Sequence, residues 1–294
     1  MNKKIGYFYA IMAAMLNSLI GIFSVKLISI GLPTYSVSFY KCLLAFIIIS
    51  GVVFFTSKIK QWMIYLKNNL KKIIICAFLG FFVLYFFETV AYKYIKVPFV
   101  VFLLLGVATI TTFILKAFLN TKFLKFGEIL SCTLSCTFAL IGLILLFDVS
   151  DFYEQSIFGV ICAVITGMGY GCFLTFSSRF KIGSGLIVVN SLMLFGCIYL
   201  LIPFMIYGVQ GIHNLTSLGF IIALAIFPTI GEFWCTTKAL SILSGEPVQL
   251  LELTEPIFSI IMAWLILSQK LNLIQLLGGG FVIIAIYINM FRSK

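Results

Sequence analysis

The chain has 294 residues, of which 62% are hydrophobic and only 10% charged, with a mean hydropathy of +1.19. So little polar surface cannot keep one or two ordinary soluble domains dissolved, and the composition specifies a membrane protein. Twenty Lys and Arg against nine Asp and Glu give a net charge of +11; in a soluble chain this would raise nucleic-acid binding, but the apolar spans take precedence and no nucleic-acid partner is expected.

Five apolar runs open the chain: Ile5–Val25, Pro33–Phe55, Ile73–Tyr92, Val97–Leu119 and Gly127–Phe147. Five more follow at Ile157–Phe176, Leu186–Tyr207, Leu218–Thr237, Pro247–Leu267 and Leu273–Met290. Ten spans of about twenty residues consume roughly two thirds of the chain and leave only connectors. The runs are continuously apolar rather than alternating, which excludes barrel strands and predicts an all-α integral membrane protein with ten transmembrane helices. Lys3-Lys4 before Ile5 resembles a secretory signal, yet no small-residue cleavage site follows, so a retained first span is expected.

With the N-terminus inside, fifteen of the 20 Lys and Arg collect on the cytoplasmic face, four (Lys26, Lys93, Lys96, Lys270) lie outside, and Lys41 falls within a span. Under the positive-inside rule both termini are cytoplasmic, and a multi-pass protein of a bacterial inner membrane is expected. Asp148, Asp151 and Glu154 then sit in the outer loop joining two halves, where solvation suffices to explain them. Ser57–Lys72 places Ile59, Trp62, Met63, Leu66 and Leu70 on one face with lysines opposite, the pattern of a helix lying flat on membrane lipids. The eight cysteines all fall in apolar segments without CxxC spacing and read as small buried side chains, not metal ligands.

An odd number of spans per half inverts the second half, so residues 5–147 and 157–290 are expected to form two inverted five-helix repeats. Setting Ala91 on Ala239, a shift of 148 residues (239 − 91), also sets Lys122 on Lys270. Under that register Glu88 and Glu232 differ by one helical turn and look toward the interface between the halves.

The segment Leu253-Thr254-Glu255-Pro256-Ile257-Phe258, running on to Ala263-Trp264-Leu265 and Ser268-Gln269-Lys270-Leu271, resembles the ninth helix of the EamA-type drug/metabolite transporters. Softer matches are Gly21 and Lys26 in the first span, Phe39-Tyr40-Lys41 where that family usually has Arg, and Gly278-Gly279 in the tenth. Asn17 stands where a Trp is common, and Val107-Ala108 stands opposite Glu255-Pro256, so the first half lacks the proline of its partner. The resemblance implies that spans one to four and six to nine surround a midplane cavity, with spans five and ten peripheral.

An ionised group at the bilayer centre costs about 2.5 to 3.5 kcal/mol on insertion scales, so intramembrane carboxyls mark candidate sites. They are Glu88, Glu232, Glu252 and Glu255, with Lys41 as counter-ion or as a side chain snorkelling to the outer surface. Glu255 serves either substrate or the helix break at Pro256, whose missing amide frees the Glu252 carbonyl. Tyr85 and Tyr92 lie one turn to either side of Glu88, Trp234 flanks Glu232, and Asn17 completes the lining set; Tyr170, between Gly169 and Gly171, either lines the cavity or marks close helix packing. Carboxyls among rings suit an organic cation or the ammonium of an amino acid.

His213 lacks a nucleophile partner and no P-loop occurs, so no enzyme, cofactor or ATP drive is expected. The expectation is a secondary transporter of a small polar metabolite, an amino acid or organic amine, working by alternating access with protons as candidate coupling ion and a monomeric or homodimeric state. A translocator of lipids or lipid-linked groups, or a structural membrane partner, is the alternative; it would expose its polar groups through a gap toward the bilayer.

Overall fold

The computed structural model describes residues 3–95, 97–119, 126–146, 156–208, 211–212, 215–258 and 273–292. His213, the acidic cluster at Asp148, Asp151 and Glu154, Lys122, and the Ser268–Leu271 end of the ninth span lie outside them. The regular structure there is helical: α1 (Lys3–Asn17), α2 (Ile20–Ser29), α3 (Thr34–Phe55), α4 (Ile59–Ala77), α5 (Leu84–Tyr94), α6 (Val97–Leu119), α7 (Phe126–Leu146), α8 (Ile157–Phe180), α9 (Leu186–Tyr207), α10 (Leu215–Leu224), α11 (Glu232–Leu240), α12 (Gly245–Glu252) and α13 (Leu273–Arg292). Among the described residues, seven helical runs are long and apolar enough to cross a membrane: Lys3–Ser29, Thr34–Phe55, Ile59–Tyr94, Val100–Leu119, Ile157–Phe180, Leu186–Tyr207 and Leu215–Leu240.

The bundle is apolar outside and polar at its centre. Large side chains such as Phe54, Phe55, Phe118, Ile157, Ile206 and Leu215 are exposed, while Lys41, Glu88, Glu232, Gln249, Glu252 and Glu255 are buried. That inversion suits a hydrocarbon solvent, in which polar groups must find partners inside the protein. Helix α7 packs chiefly on α13, and neither carries a residue of the central cluster described below.

Irregular backbone interrupts four of the expected spans. The first breaks at Ser18-Leu19, where the Ser18 hydroxyl turns back to the Met15 carbonyl at 2.7 Å. The third and eighth contain π-helical segments, Phe78–Val83 between α4 and α5 and Ala225–Gly231 between α10 and α11. Pro228 explains the second, because it has no N–H for the Leu224 carbonyl; the Thr229 hydroxyl bonds that carbonyl instead, at 2.8 Å. In the first, Gly80 admits the Phe173 ring, which would lie 2.6 Å from an added Cβ. The ninth span leaves the α-helix at Leu253-Thr254, and the turn of helix resuming at Glu255 carries Pro256, as its missing amide requires.

One sequence expectation is corrected. The amphipathic Ser57–Lys72 segment is not a separate flat helix: from Ile59 it continues directly into the third span and, through the π-helical segment, reaches Tyr94, 36 residues in all. Its aromatic face is held by protein rather than lipid alone. Trp62 Nε1 donates to Ser191 Oγ at 3.0 Å, the Tyr65 hydroxyl to the Ile182 carbonyl at 2.6 Å, and Lys72 Nζ to the Phe180 carbonyl at 3.2 Å. The described cysteines are free, and Cys42, Cys76, Cys162, Cys197 and Cys235 are buried as read from sequence.

Candidate functional site

Two close approaches aim Tyr170 at the bundle centre. An added Cβ at Gly169 would stand 2.6 Å from Val83, and one at Gly171 would stand 2.7 Å from Thr111 and 2.8 Å from the Ala108 carbonyl. Glycine on each side therefore lets α8 wedge between the third span and α6, so close packing and an inward Tyr170 are one feature, not alternatives. Tyr170 Oη lies 2.7 Å from Glu252 Oε2 and 3.4 Å from Glu232 Oε1. Thr236 Oγ1 stands 2.9 Å from both Glu232 Oε1 and Glu252 Oε1. Two hydroxyls thus bridge two carboxyls carried by α11 and α12.

Glu88 on α5 is held differently. Lys41 Nζ of α3 lies 3.5 Å from Glu88 Oε2, and the Tyr92 hydroxyl donates to Glu88 Oε1 at 3.1 Å. The same ammonium sits 3.6 Å from the centroid of the Tyr85 ring, a cation–π contact away from water. Lys41 is wholly buried, which decides between the two readings in favour of the counter-ion: with a carboxylate and a ring at its head, the side chain has no reason to snorkel to the surface. Asn17, the last residue of α1, donates from Nδ2 to Glu255 Oε2 at 2.9 Å and so ties the break in the first span to the break in the ninth.

Among these groups lies a void of about 10 Å³, room for one water. Its walls are Asn17, Ile20, Leu84, Tyr85, Glu88, Leu104, Tyr170, Glu232 and Phe233. Phe81, Phe173 and Phe233 pack beside it, with centroids 4.3 Å apart for Phe81–Phe233 and 5.3 Å for Phe173–Phe233. The four carboxyl residues are no more than 3% exposed. At one end of the bundle the Lys116–Glu246 ion pair joins α6 to α12, and Arg179 Nη1 donates to the Leu119 carbonyl at 2.7 Å. The site is closed.

Nine of the ten residues singled out from sequence meet here. Trp234 does not: its ring packs edge-on to Tyr9 of α1, 5.7 Å between centroids, because two residues along a helix turn it to another face. Thr236 was missed. It lies one turn beyond Glu232, and under the 148-residue shift it is the counterpart of Glu88 (236 − 148), so the register itself held the signal. Leu84 and Leu104, counterparts of Glu232 and Glu252 under the same shift, also border the void. Among the described residues no three His, Cys, Asp or Glu side chains converge to hold a metal ion.

An apolar-surfaced helical bundle with a sealed polar centre is a multi-pass membrane protein. Residues 157–291 match the profile of the EamA-like transporter family, part of the drug/metabolite transporter superfamily, and the resemblance read from the Glu255-Pro256 segment holds there. A search of curated proteins finds no match. Among solved structures, a crystal structure described only as that of a protein superposes with a TM-score of 0.74 at 13% sequence identity, covering 99% of this chain and 98% of that one. That likeness is one of fold alone.

Proposed function

We propose that the chain is a secondary transporter that moves a small amine-bearing metabolite, an amino acid or an organic amine, across a membrane by alternating access. The observation that carries this reading is a cluster of four buried carboxyls and one buried lysine drawn from both halves of the chain, two of whose members, Glu88 and Glu232, border a single void. Such a cluster is expensive in hydrocarbon and is retained where polar cargo must pass. The Lys41 ammonium, seated between the Tyr85 face and Glu88, illustrates the surroundings that a cargo ammonium would receive. A cargo carboxylate would in turn find Lys41, which favours a zwitterion.

Ten spans in two inverted repeats, residues 5–147 and 157–290, are the architecture we assign. Supporting this, the register that sets Ala91 on Ala239 lays Phe78–Val83 on residues 226–231, inside the second π-helical segment. Broken helices around a central site are where transporters of this kind bind their cargo. Rocking of the halves would open the void alternately to each side, with both termini cytoplasmic and protons as the coupling ion. Enclosure of all four carboxyls favours a soluble metabolite over a lipid, whose translocator would open a polar gap toward the bilayer.

The test is uptake of radiolabelled amino acids and amines into proteoliposomes containing the purified protein, with and without an imposed pH gradient. Saturable uptake of one class, lost in Glu88→Gln and Glu232→Gln, is expected. Uptake of none, with scrambling of a labelled phospholipid instead, would overturn the reading.

A further inference from the structure

The hydrogen bonds around Glu232 and Glu252 do not balance unless the pair carries a proton. Four contacts join the two carboxyls to Tyr170 and Thr236, at 2.7, 2.9, 2.9 and 3.4 Å. A tyrosine and a threonine bring one hydroxyl proton each. The Tyr170 proton is committed to Glu252 Oε2, its nearer partner. The Thr236 proton can serve only one of two oxygens that are both 2.9 Å away. Were both carboxyls ionised, the other oxygen would face the Thr236 lone pairs, acceptor against acceptor, at a 2.9 Å separation too short for a water to stand between them.

We infer that Glu232 and Glu252 share one proton through the Thr236 hydroxyl, which makes Thr236 a proton relay and this pair the proton-carrying element of the site. In one arrangement Glu232 Oε1–H donates to Thr236 Oγ1, and Thr236 donates to Glu252 Oε1. Glu252 is then the carboxylate and receives both hydroxyls. In the other, the carboxyl proton sits on Glu252 Oε1 and donates to Thr236, which donates to Glu232. Passing between them moves one proton onto the Thr236 oxygen as its own proton leaves, so charge and atoms balance.

The two members are not equivalent in position. Glu232 borders the void and Glu252 does not, so exchange with a water or a cargo ammonium falls to Glu232 while Glu252 holds charge behind it. The remaining ionisable groups near the pair explain why no cation replaces the proton. Glu255 beyond α12 and the Cys235 thiol on α11 add no positive charge. Lys41 is engaged by Glu88 and by the Tyr85 ring across the void, and Lys116 of α6 by Glu246. Helix α9, which also packs on α11, contributes no charged group among the described residues. This inference rests on the transport reading only for its consequence, that one proton leaves the pair for each cargo ammonium that arrives; the shared proton itself stands without any cargo.

The test is infrared difference spectroscopy of the full-length protein in lipid vesicles, titrated across neutral pH and following the C=O stretch of neutral carboxyl groups. Expected is a neutral-carboxyl band that titrates in two steps separated by more than about one pH unit, the signature of a coupled pair. The band is lost in Glu232→Gln, collapses to a single step in Thr236→Val, and regains two steps in Thr236→Ser. If Thr236→Val does not fold, Thr236→Ala makes the same comparison against Thr236→Ser. Absence of the band in the folded wild type, or its persistence unchanged in Glu232→Gln, overturns the inference. So does two-step titration that survives in Thr236→Val, which would mean that the carboxyls couple without the relay. Failure of the transport reading would look different: the band would behave as expected while no amine or amino acid enters proteoliposomes.

Discussion

In the first half of the chain Glu88 is neutralised by the ammonium of Lys41 and steadied by Tyr92. In the second half Glu232 and Glu252 form no ion pair among the described residues, Lys41 acting on Glu232 only through its longer-range field, and they are bridged by the hydroxyls of Tyr170 and Thr236. Glu88 and Glu232 border the same void, at positions related to within a turn by the 148-residue shift. Burying a carboxylate demands a partner in either case, but an ion pair fixes the charge whereas hydroxyl bridges leave it adjustable by one proton. On the reading proposed above, the two halves offer different services around one cavity: an ion pair, and an element whose charge can change by one proton.

Several substitutions should break or sharpen this contrast. Lys41→Met removes the one cation that pairs with Glu88 among the described residues and should destabilise the protein by about 3–5 kcal/mol, the cost of an orphaned buried charge. The double variant Lys41→Met with Glu88→Gln should recover most of that loss in detergent unfolding, since it removes both charges. Recovery failing to appear would mean that the pair is not what stabilises the first half. On the hydroxyl-bridged side, Tyr170→Phe deletes the 2.7 Å bond to Glu252 and should cost about 1.5–3 kcal/mol, leaving the bundle folded with weakened ligand response.

The wedge that aims Tyr170 gives a smaller but purely steric test. Gly171→Ala would bring a methyl group to 2.7 Å from Thr111 and 2.8 Å from a backbone carbonyl, and overpacking of this kind costs about 1–3 kcal/mol. Gly51→Ala, at a helical glycine where an added Cβ meets nothing within 4 Å, is the matched control and should not destabilise. Smallest of all, Trp234→Phe lies outside the cluster, keeps an aromatic ring against Tyr9, and should change stability by less than about 0.5 kcal/mol. Its effect on ligand-induced stabilisation should be nil, in contrast to Tyr170→Phe.

Much of the fold was legible because bilayer length imposes span length. The runs Val97–Leu119 and Leu186–Tyr207 coincide with helices α6 and α9 as read. What composition could not reveal were the interruptions. Ser18-Leu19 and the π-helical Phe78–Val83 carry no proline; the first goes with a hydroxyl turned back on its own helix, a local bond that composition does not reveal, and the second with a ring from another helix lodged against Gly80. The amphipathic stretch after Ser57 misled for a related reason, since one apolar face fits a membrane surface and a protein surface equally well.

The carboxyl residues were legible because ionisable groups are so rare in these spans. From sequence Lys41 reads either as their counter-ion or as a snorkelling side chain, and what lies at its end, Glu88 and Tyr85, decides for the counter-ion. Thr236 escaped because a threonine within a membrane helix ordinarily bonds its own backbone, as Thr89 does to the Tyr85 carbonyl. Only the nearness of two carboxyls, brought together from α11 and α12 by the fold, turns such a hydroxyl into part of the site.

The most direct test of the central claim is thermal unfolding of the purified protein with amino acids, quaternary amines, polyamines, nucleosides and sugars, repeated in Glu88→Gln and Glu232→Gln. A ligand that binds the native state raises apparent stability by mass action, by about 2.7 kcal/mol at a hundredfold excess over its dissociation constant. The account predicts stabilisation by amine-bearing compounds alone, abolished in both variants. Stabilisation by sugars or nucleosides, or by amines equally in wild type and both variants, would contradict it.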